Sequence, residues 1–311
     1  RLPFFIWRTD ILYVGWMGHH LVPIIRLLSG KPIIFDLQAE LHDALCEDRK
    51  LCAHGSVMCR LARFLDTYVH TRCDVIIAHD LIHARRLREM YQVPPEKLVF
   101  IPMCADTKLF FRQPQRKQPQ DAEKFLIDFC GEFSPAHGVE YILRAAKLLE
   151  DTHIHFRIAG KGQLSLQITA LFEELRPKNV ELIPRRLSDE ELVEHRSSAD
   201  LCLGSFGSSK RLYWSLTNKA FETIAMARPL LTAGPPQARA VAEFFTDCEN
   251  AFLCAAGDAN MLAEKIRWIV SHPEDCKRIA ENGYQYFRNL CNDEAQEERV
   301  LGAVDKALSG L

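Results

Sequence analysis

Lys219 and Glu222 stand three residues apart in LTNKAFETIAMARP (216–229), a helix-like apolar run that stops at Pro229. At that spacing they share a helix face, which leaves two readings open. One is an i, i+3 ion pair on a solvated surface, contributing about 0.2–0.5 kcal/mol. The other is a turn that grips a charged ligand. There Lys219 adds a full charge to the anion-attracting start of a helix capped by Thr217 or Asn218. An ionised Glu222 only accepts hydrogen bonds, which suits the hydroxyls of a sugar. An anion on one side and a polyol on the other describe a sugar nucleotide.

Two further loops carry glycines at strand-to-helix junctions. FCGEFSPAHGVEYILRAAKLL (129–149) leaves a strand at Gly131 and opens a helix after Gly138, with His137 just before it; FRIAGKGQL (156–164) ends a strand in Gly160-Lys161-Gly162. Glycine lets backbone N–H groups come close to a phosphate, and the helix start adds partial positive charge. Tight turns in α/β proteins need glycine anyway, so each loop alone is a weak signal.

These loops need strands and helices to hold them, and the chain supplies both. Short apolar runs at 10–16, 31–37, 74–80 and 97–102, then at 124–131, 153–160, 179–184, 199–206, 228–234 and 251–254, alternate with amphipathic stretches. Continuously apolar strands alternating with helices predict parallel sheets covered on both faces. The fold class expected is α/β, with two Rossmann-like domains facing a cleft. Ligands in such sheets bind at the carboxyl ends of the strands. Residues 1–112 read as an acceptor-side domain, 113–124 as a Gln/Pro-rich linker, 125–275 as a nucleotide-sugar-binding domain and 276–311 as C-terminal helices.

Composition narrows the function classes. The chain of 311 residues is 48% hydrophobic and 26% charged with a formal net charge of −2, so no basic excess exists to neutralise nucleic-acid phosphates. Its eleven cysteines form no CxxC pair, so free thiols in a reducing compartment are expected rather than disulfides or zinc. No apolar stretch is long enough to span a membrane. The chain begins with Arg1, and sequence upstream of it is expected. No Gly-x-Gly-x-x-Gly is followed by an acid at the spacing a dinucleotide oxidoreductase needs.

The order of these parts resembles the donor domain of retaining GT-B glycosyltransferases, specifically glycosyltransferase family 4 (glycosyl transferases group 1). The resemblance rests on the strand–Gly–loop–Gly–helix at 127–149, RIAGKGQ (157–163), VELIPRRLSDEELVEHRSSADLCL (180–203) and NKAFETIAMARPLLTA (218–233). In the first half, IIAHDLIHARRLREMYQVPPEKLVFIPMCADTKLF (76–110) is similar to the segment that closes that family's first domain. The family pattern has Arg and Lys where this chain has Glu132 and His137, and Glu where it has Trp214, which is expected to pack or to stack on a donor base. A subgroup pattern instead matches Phe206, Gly207, Lys210, Asn218, Lys219 and Glu222. The resemblance implies that Lys210 and Lys219 hold the donor diphosphate and Glu222 the ribose, with Gly131, His137, Gly138, Gly160, Lys161 and Gly162 completing the cradle.

It further implies a hexosyltransferase acting with retention and without a metal or other cofactor, in which cations and helix starts stabilise the leaving diphosphate. The departing phosphate can take the acceptor's proton. In IIFDLQAELHDALCEDRK (33–50), at the position of the family's acceptor-facing residues, Asp36, His42 and Asp43 are the acceptor-side candidates. His42 is also a candidate for proton handling, so the catalytic candidates are His42, Lys210 and Lys219. His19 and His20 are candidates to line the cleft, and His79 with His83 have the spacing of a metal pair without a third ligand. A full acceptor domain of this family has six or seven strands, and only about four are evident here, so the N-terminal domain is expected to be truncated. The partners implied are a nucleotide-diphosphate sugar and a glycan or lipid-linked acceptor; the location is the cytoplasm, with peripheral contact at the inner face of a membrane as an option. The alternatives are a catalytically degenerate binding subunit and, behind it, a sugar-nucleotide epimerase.

Overall fold

The short apolar runs do become parallel strands in the computed structural model, which describes residues 2–115, 123–214 and 216–310. The chain divides into two compact units, residues 1–103 with 291–311 and residues 104–290.

In the first unit β1 (Leu12–Val14), β2 (Ile33–Asp36), β3 (Val75–Ala78) and β4 (Leu98–Phe100) form a four-stranded parallel sheet in that order. The helices are α1 (Leu2–Arg8), α2 (Leu21–Leu28), α3 (Val57–Arg72) and α4 (Leu81–Tyr91). Two of them start where the sequence supplies a cap. Ser56 Oγ accepts from the Cys59 N–H at the start of α3, and Asp80 Oδ1 accepts from the His83 N–H, 2.6 Å away, at the start of α4. Between β2 and α3 runs a π-helical turn, Asp43–Asp48.

The second unit holds β5 (Phe125–Cys130), α5 (Val139–Leu148), β6 (Ile154–Ala159), α6 (Ser165–Leu175), β7 (Val180–Ile183), α7 (Asp189–Ser198), β8 (Leu201–Leu203), α8 (Arg211–Trp214), α9 (Asn218–Ala225), β9 (Leu230–Ala233), β10 (Phe252–Cys254), α10 (Ala259–Ser271) and α11 (Pro273–Leu290). Its six strands are parallel in the order β10-β9-β8-β5-β6-β7. The order reverses between β5 and β8, so the loops leaving their carboxyl ends diverge and open a crevice there. The strands are apolar because helices cover both faces, as all four buried residues of β9 show. In β5 the exception is Asp128, buried to 1% in mid-strand.

The last helix, α12 (Asp293–Leu308), returns to the first unit, where Ala303 and Ala307 pack on Ile34, Val75 and Ile77. Small residues on that face let the helix lie close to the sheet. The 276–311 segment is thus shared between the units rather than forming one tail. Residues 104–115 belong to the second unit, because Phe110 is buried under the Arg196 guanidinium and Gln115 Nε2 donates to Ser198 O, Ala199 O and Asp200 Oδ1. Most of the expected linker, 116–122, lies outside the described residues. Nine cysteines are free thiols and Cys104 and Cys291 are not among them; that corrects the expectation of thiols throughout, since no local spacing marks these two. Among the described residues no helix is long and apolar enough to cross a membrane.

Candidate functional site

The crevice of the second unit is a cavity of about 360 Å³. Its floor is made by loops that touch through their backbones. Gly131 N–H donates to Ala159 O at 3.0 Å and Gly160 N–H to Ile183 O at 3.0 Å, continuing the sheet past the strand ends. A Cβ on Gly160 would overlap the Gly131 carbonyl oxygen and stand 2.7 Å from Phe133 Cε1, so only glycine fits. Gly138, at φ +65°, turns the chain into α5 in the left-handed region. Phe206 N–H and Gly207 N–H donate to His137 O and Ala136 O at 3.0 and 3.1 Å, which ties the 131–138 loop to the end of β8.

The opposite wall is the start of α9. Thr217 occupies the cap position, but neither it nor Asn218 makes the expected side-chain cap bond. The next residue, Lys219, is 7% exposed, and its Nζ makes no hydrogen bond. The ammonium lies 4.2 Å from the centroid of the Phe129 ring, above Gly131, in space that a side chain at 131 would fill. Burial, then the nearby Arg196 charge, push its pKa down to about 7.

Glu222 does not pair with Lys219. Its Oε2 forms an ion pair with Arg196 Nη1, a guanidinium 3% exposed in the last turn of α7. The i, i+3 reading is thereby overturned. Helix α7 is held in place by Arg157, whose Nη2 donates to His195 O at 2.7 Å and Ser198 Oγ at 2.8 Å. Beneath the cavity, His195 Nδ1 lies 3.2 Å from Asp128 Oδ1 and 3.9 Å from Cys130 Sγ. Burial and then Asp128 raise the Cys130 pKa well above the usual thiol value, so this thiol is no nucleophile. The ligand atoms of Asp128, Cys130 and His195 lie within 4.8 Å of one another, close enough to share a cation.

Of the residues read from the sequence, Gly131, His137, Gly160, Lys161, Asn218, Lys219 and Glu222 line the cavity. Gly138, Gly162, Phe206 and Gly207 do not; Gly162 packs on Phe133, and the others brace the loop. Lys210 is exposed in the turn before α8 and is not part of the lining. The cations sequence reading missed are Arg196 and Arg186. Arg196 sits at a helix C-terminus, where a basic residue reads as a dipole partner, and only the packing of α7 shows that it is buried. In all, Lys161, Arg186, Arg196 and Lys219 face Glu132 and Glu222, an excess of positive charge at a helix start that suits an anionic, hydroxyl-bearing ligand.

The first unit gathers its own polar groups at the carboxyl ends of its strands. Asp36 accepts from Tyr13 Oη at 2.6 Å and lies 2.7 Å from His79 Nε2, while His79 Nδ1–H donates to Ile101 O at 2.8 Å. Burial opposes ionisation of Asp36, but the His79 and Tyr13 hydrogen bonds outweigh it and lower its pKa. His83 stands 3.3 Å from Glu40, so His79 and His83 serve separate carboxylates and form no metal pair. His19 is buried 3.3 Å from Asp66. His42 is buried, with Nδ1 3.6 Å from Asp43, and Asp43 also pairs with Arg86.

Residues 111–286 match the family described as Glycosyl transferases group 1, and every cavity residue falls in that span. MMP alpha-(1->4)-mannosyltransferase of Mycolicibacterium hassiacum is 25% identical over 222 residues, 70% of this chain and 51% of that protein. The chain spans about half the length of the curated relatives it matches. Among solved structures, HepE of Anabaena in complex with UDP and glucose superposes with a TM-score of 0.78 at 16% identity, over 98% of this chain and 80% of that one. Sucrose-phosphate synthase of Thermosynechococcus elongatus gives 0.79 at 15%, over 100% and 77%. At these identities the likeness shows the fold, and it bears out the α/β, GT-B class with two parallel sheets. With more than half of its residues matched, the cavity among them, the chain belongs to the glycosyl transferases group 1 family.

Proposed function

We propose that the chain is a glycosyltransferase that takes a hexose from a nucleotide-diphosphate sugar held in the second unit and passes it to a glycan or lipid-linked acceptor, with retention and without a metal. The observation that carries this reading is Lys219, a buried ammonium without a hydrogen-bond partner at the start of α9, facing the glycine loops. Such a cation suits a diphosphate, and it would stabilise the charge that develops on the leaving group. Pairing through Oε2 holds Glu222 in place by Arg196 and leaves Oε1 to accept from ribose hydroxyls. The names of the mannosyltransferase relative and of the UDP-bound HepE structure agree with a hexose donor of this kind. On the acceptor side Asp36, fixed by Tyr13 and His79, is the carboxylate assigned to substrate hydroxyls.

Glu132 lines the same cavity at the position where the family resemblance implies an arginine. It favours a second reading, a subunit that binds the nucleotide sugar without transferring it. Calorimetric titration with UDP, GDP and ADP, followed by an assay of donor hydrolysis, separates the two. Binding with turnover supports the transferase, and binding without turnover supports the binding subunit. No binding of any nucleotide to the folded chain sinks both.

A further inference from the structure

We propose that His42, Cys46, Cys52 and Cys59 in the first unit form a tetrahedral site for a zinc-class divalent ion. The ligand atoms of His42, Cys46 and Cys59 lie within 4.8 Å of one another, all three residues being buried, and Cys52 Sγ stands 2.9 Å from Cys46 Sγ. Three sulfurs and an imidazole match the donor set of closed structural zinc sites.

Each ligand is placed by a separate backbone feature. Asp66 on α3 accepts from the N–H groups of Leu41 and His42 at 2.8 and 2.9 Å, anchoring the chain at His42. The π-helical turn Asp43–Asp48 then carries Cys46 inward. Lys50, at φ +49°, adopts the left-handed conformation that sends the chain back, bringing Cys52 against Cys46. The Ser56 cap fixes Cys59 in the first turn of α3. Asp43 Oδ1 lies 3.6 Å from His42 Nδ1, leaving the other ring nitrogen for the ion.

A disulfide between Cys46 and Cys52 is the competing arrangement. Zinc–sulfur bonds of about 2.3 Å put neighbouring sulfurs about 3.8 Å apart, and a disulfide puts them at about 2.05 Å. The observed 2.9 Å lies between the two, so that distance alone does not choose. The grouping of His42 and Cys59 with Cys46 favours the metal site, because a Cys46–Cys52 disulfide would use neither of them. Binding releases the thiol protons to solvent and makes His42 a ligand rather than an acid–base group. The ion would pin the segment between β2 and α3, independently of the donor site.

The test is the metal content of the chain purified from zinc-supplemented growth and desalted. About one equivalent of zinc is expected, replaceable by Co(II) with the intense visible bands of a tetrahedral thiolate complex. Cys46→Ser and Cys59→Ser should lose the ion, and Cys248→Ser, in the other unit, should keep it. A wild-type readout guards against unfolded variants: chelation should release three additional thiols to Ellman's reagent. A reduced, folded wild-type chain that takes up neither Zn(II) nor Co(II) overturns the proposal. So does peptide mapping that finds Cys46 and Cys52 joined in the native chain.

Discussion

Glu222 and Lys219 lie one turn apart on α9, yet Glu222 pairs with Arg196, a residue of α7. The pair is buried on the arginine side and partly buried on the carboxylate side, so removing one partner strands the other. Arg196→Met should destabilise the chain by about 3 kcal/mol, the lower end for a broken buried pair. Arg196→Met combined with Glu222→Leu should cost less than the sum of the single changes. A denaturant double-mutant cycle reads the coupling, and strict additivity would show that the two residues do not depend on one another.

The Lys219 ammonium gives the donor site a pH signature. Its pKa is lowered from 10.5 to about 7 by burial first and by Arg196 second. Between those values the unfolded chain holds a proton that the folded chain has released, so the Lys219 contribution makes stability rise with pH across that window. A diphosphate needs the protonated form, so nucleotide affinity should fall as pH rises above about 7. Calorimetry at pH 8 in buffers of different ionisation heat should show proton uptake on UDP binding, absent in Lys219→Met. Binding without proton uptake would remove Lys219 from the diphosphate site. Lys219→Met should itself weaken UDP by roughly 10- to 100-fold, as for a charge-assisted bond of about 1.5–3 kcal/mol.

What the sequence made legible was set by local physics. The strands could be read because parallel strands covered on both faces must be apolar throughout, and Leu230–Ala233 shows no polar interruption except Thr232. The loops could be read because strand ends that meet, as at Gly131 and Gly160, tolerate no side chain. The partner of Glu222 could not be read, since Arg196 is 26 positions earlier and looks like any basic residue ending a helix. The unit boundary was missed for the same reason. Phe110 and Gln115 sit in a polar, proline-rich stretch, and their docking on Arg196 and the 198–200 segment leaves no local pattern.

Lys210 separates the spacing argument from the structural one. Its match to a subgroup pattern assigns it to the diphosphate, whereas the fold leaves it exposed and outside the cavity lining. Lys210→Ala should therefore change UDP affinity by less than about twofold, the scale of an exposed charge. Titration of this variant beside Lys219→Met is the direct comparison. Equal losses would mean that the 208–214 turn moves onto the ligand when it binds.

Gly160 tests whether the cavity depends on backbone contact. An added methyl would collide with the Gly131 carbonyl and with Phe133 at 2.7 Å, and the nearest of these neighbours is backbone. Gly160→Ala should destabilise the chain by about 1–3 kcal/mol through overpacking and weaken nucleotide binding by displacing the loop beneath Lys219. Gly302, inside α12, has nothing within 4 Å of the same methyl. There the substitution should stabilise by about 0.5–1 kcal/mol, the ordinary helix preference for alanine, and leave nucleotide affinity unchanged. Thermal unfolding with and without UDP measures both effects. A Gly160→Ala chain as stable as wild type and as tight for UDP would show that the 131 and 160 loops can separate, and the cradle would then have to be built by side chains alone.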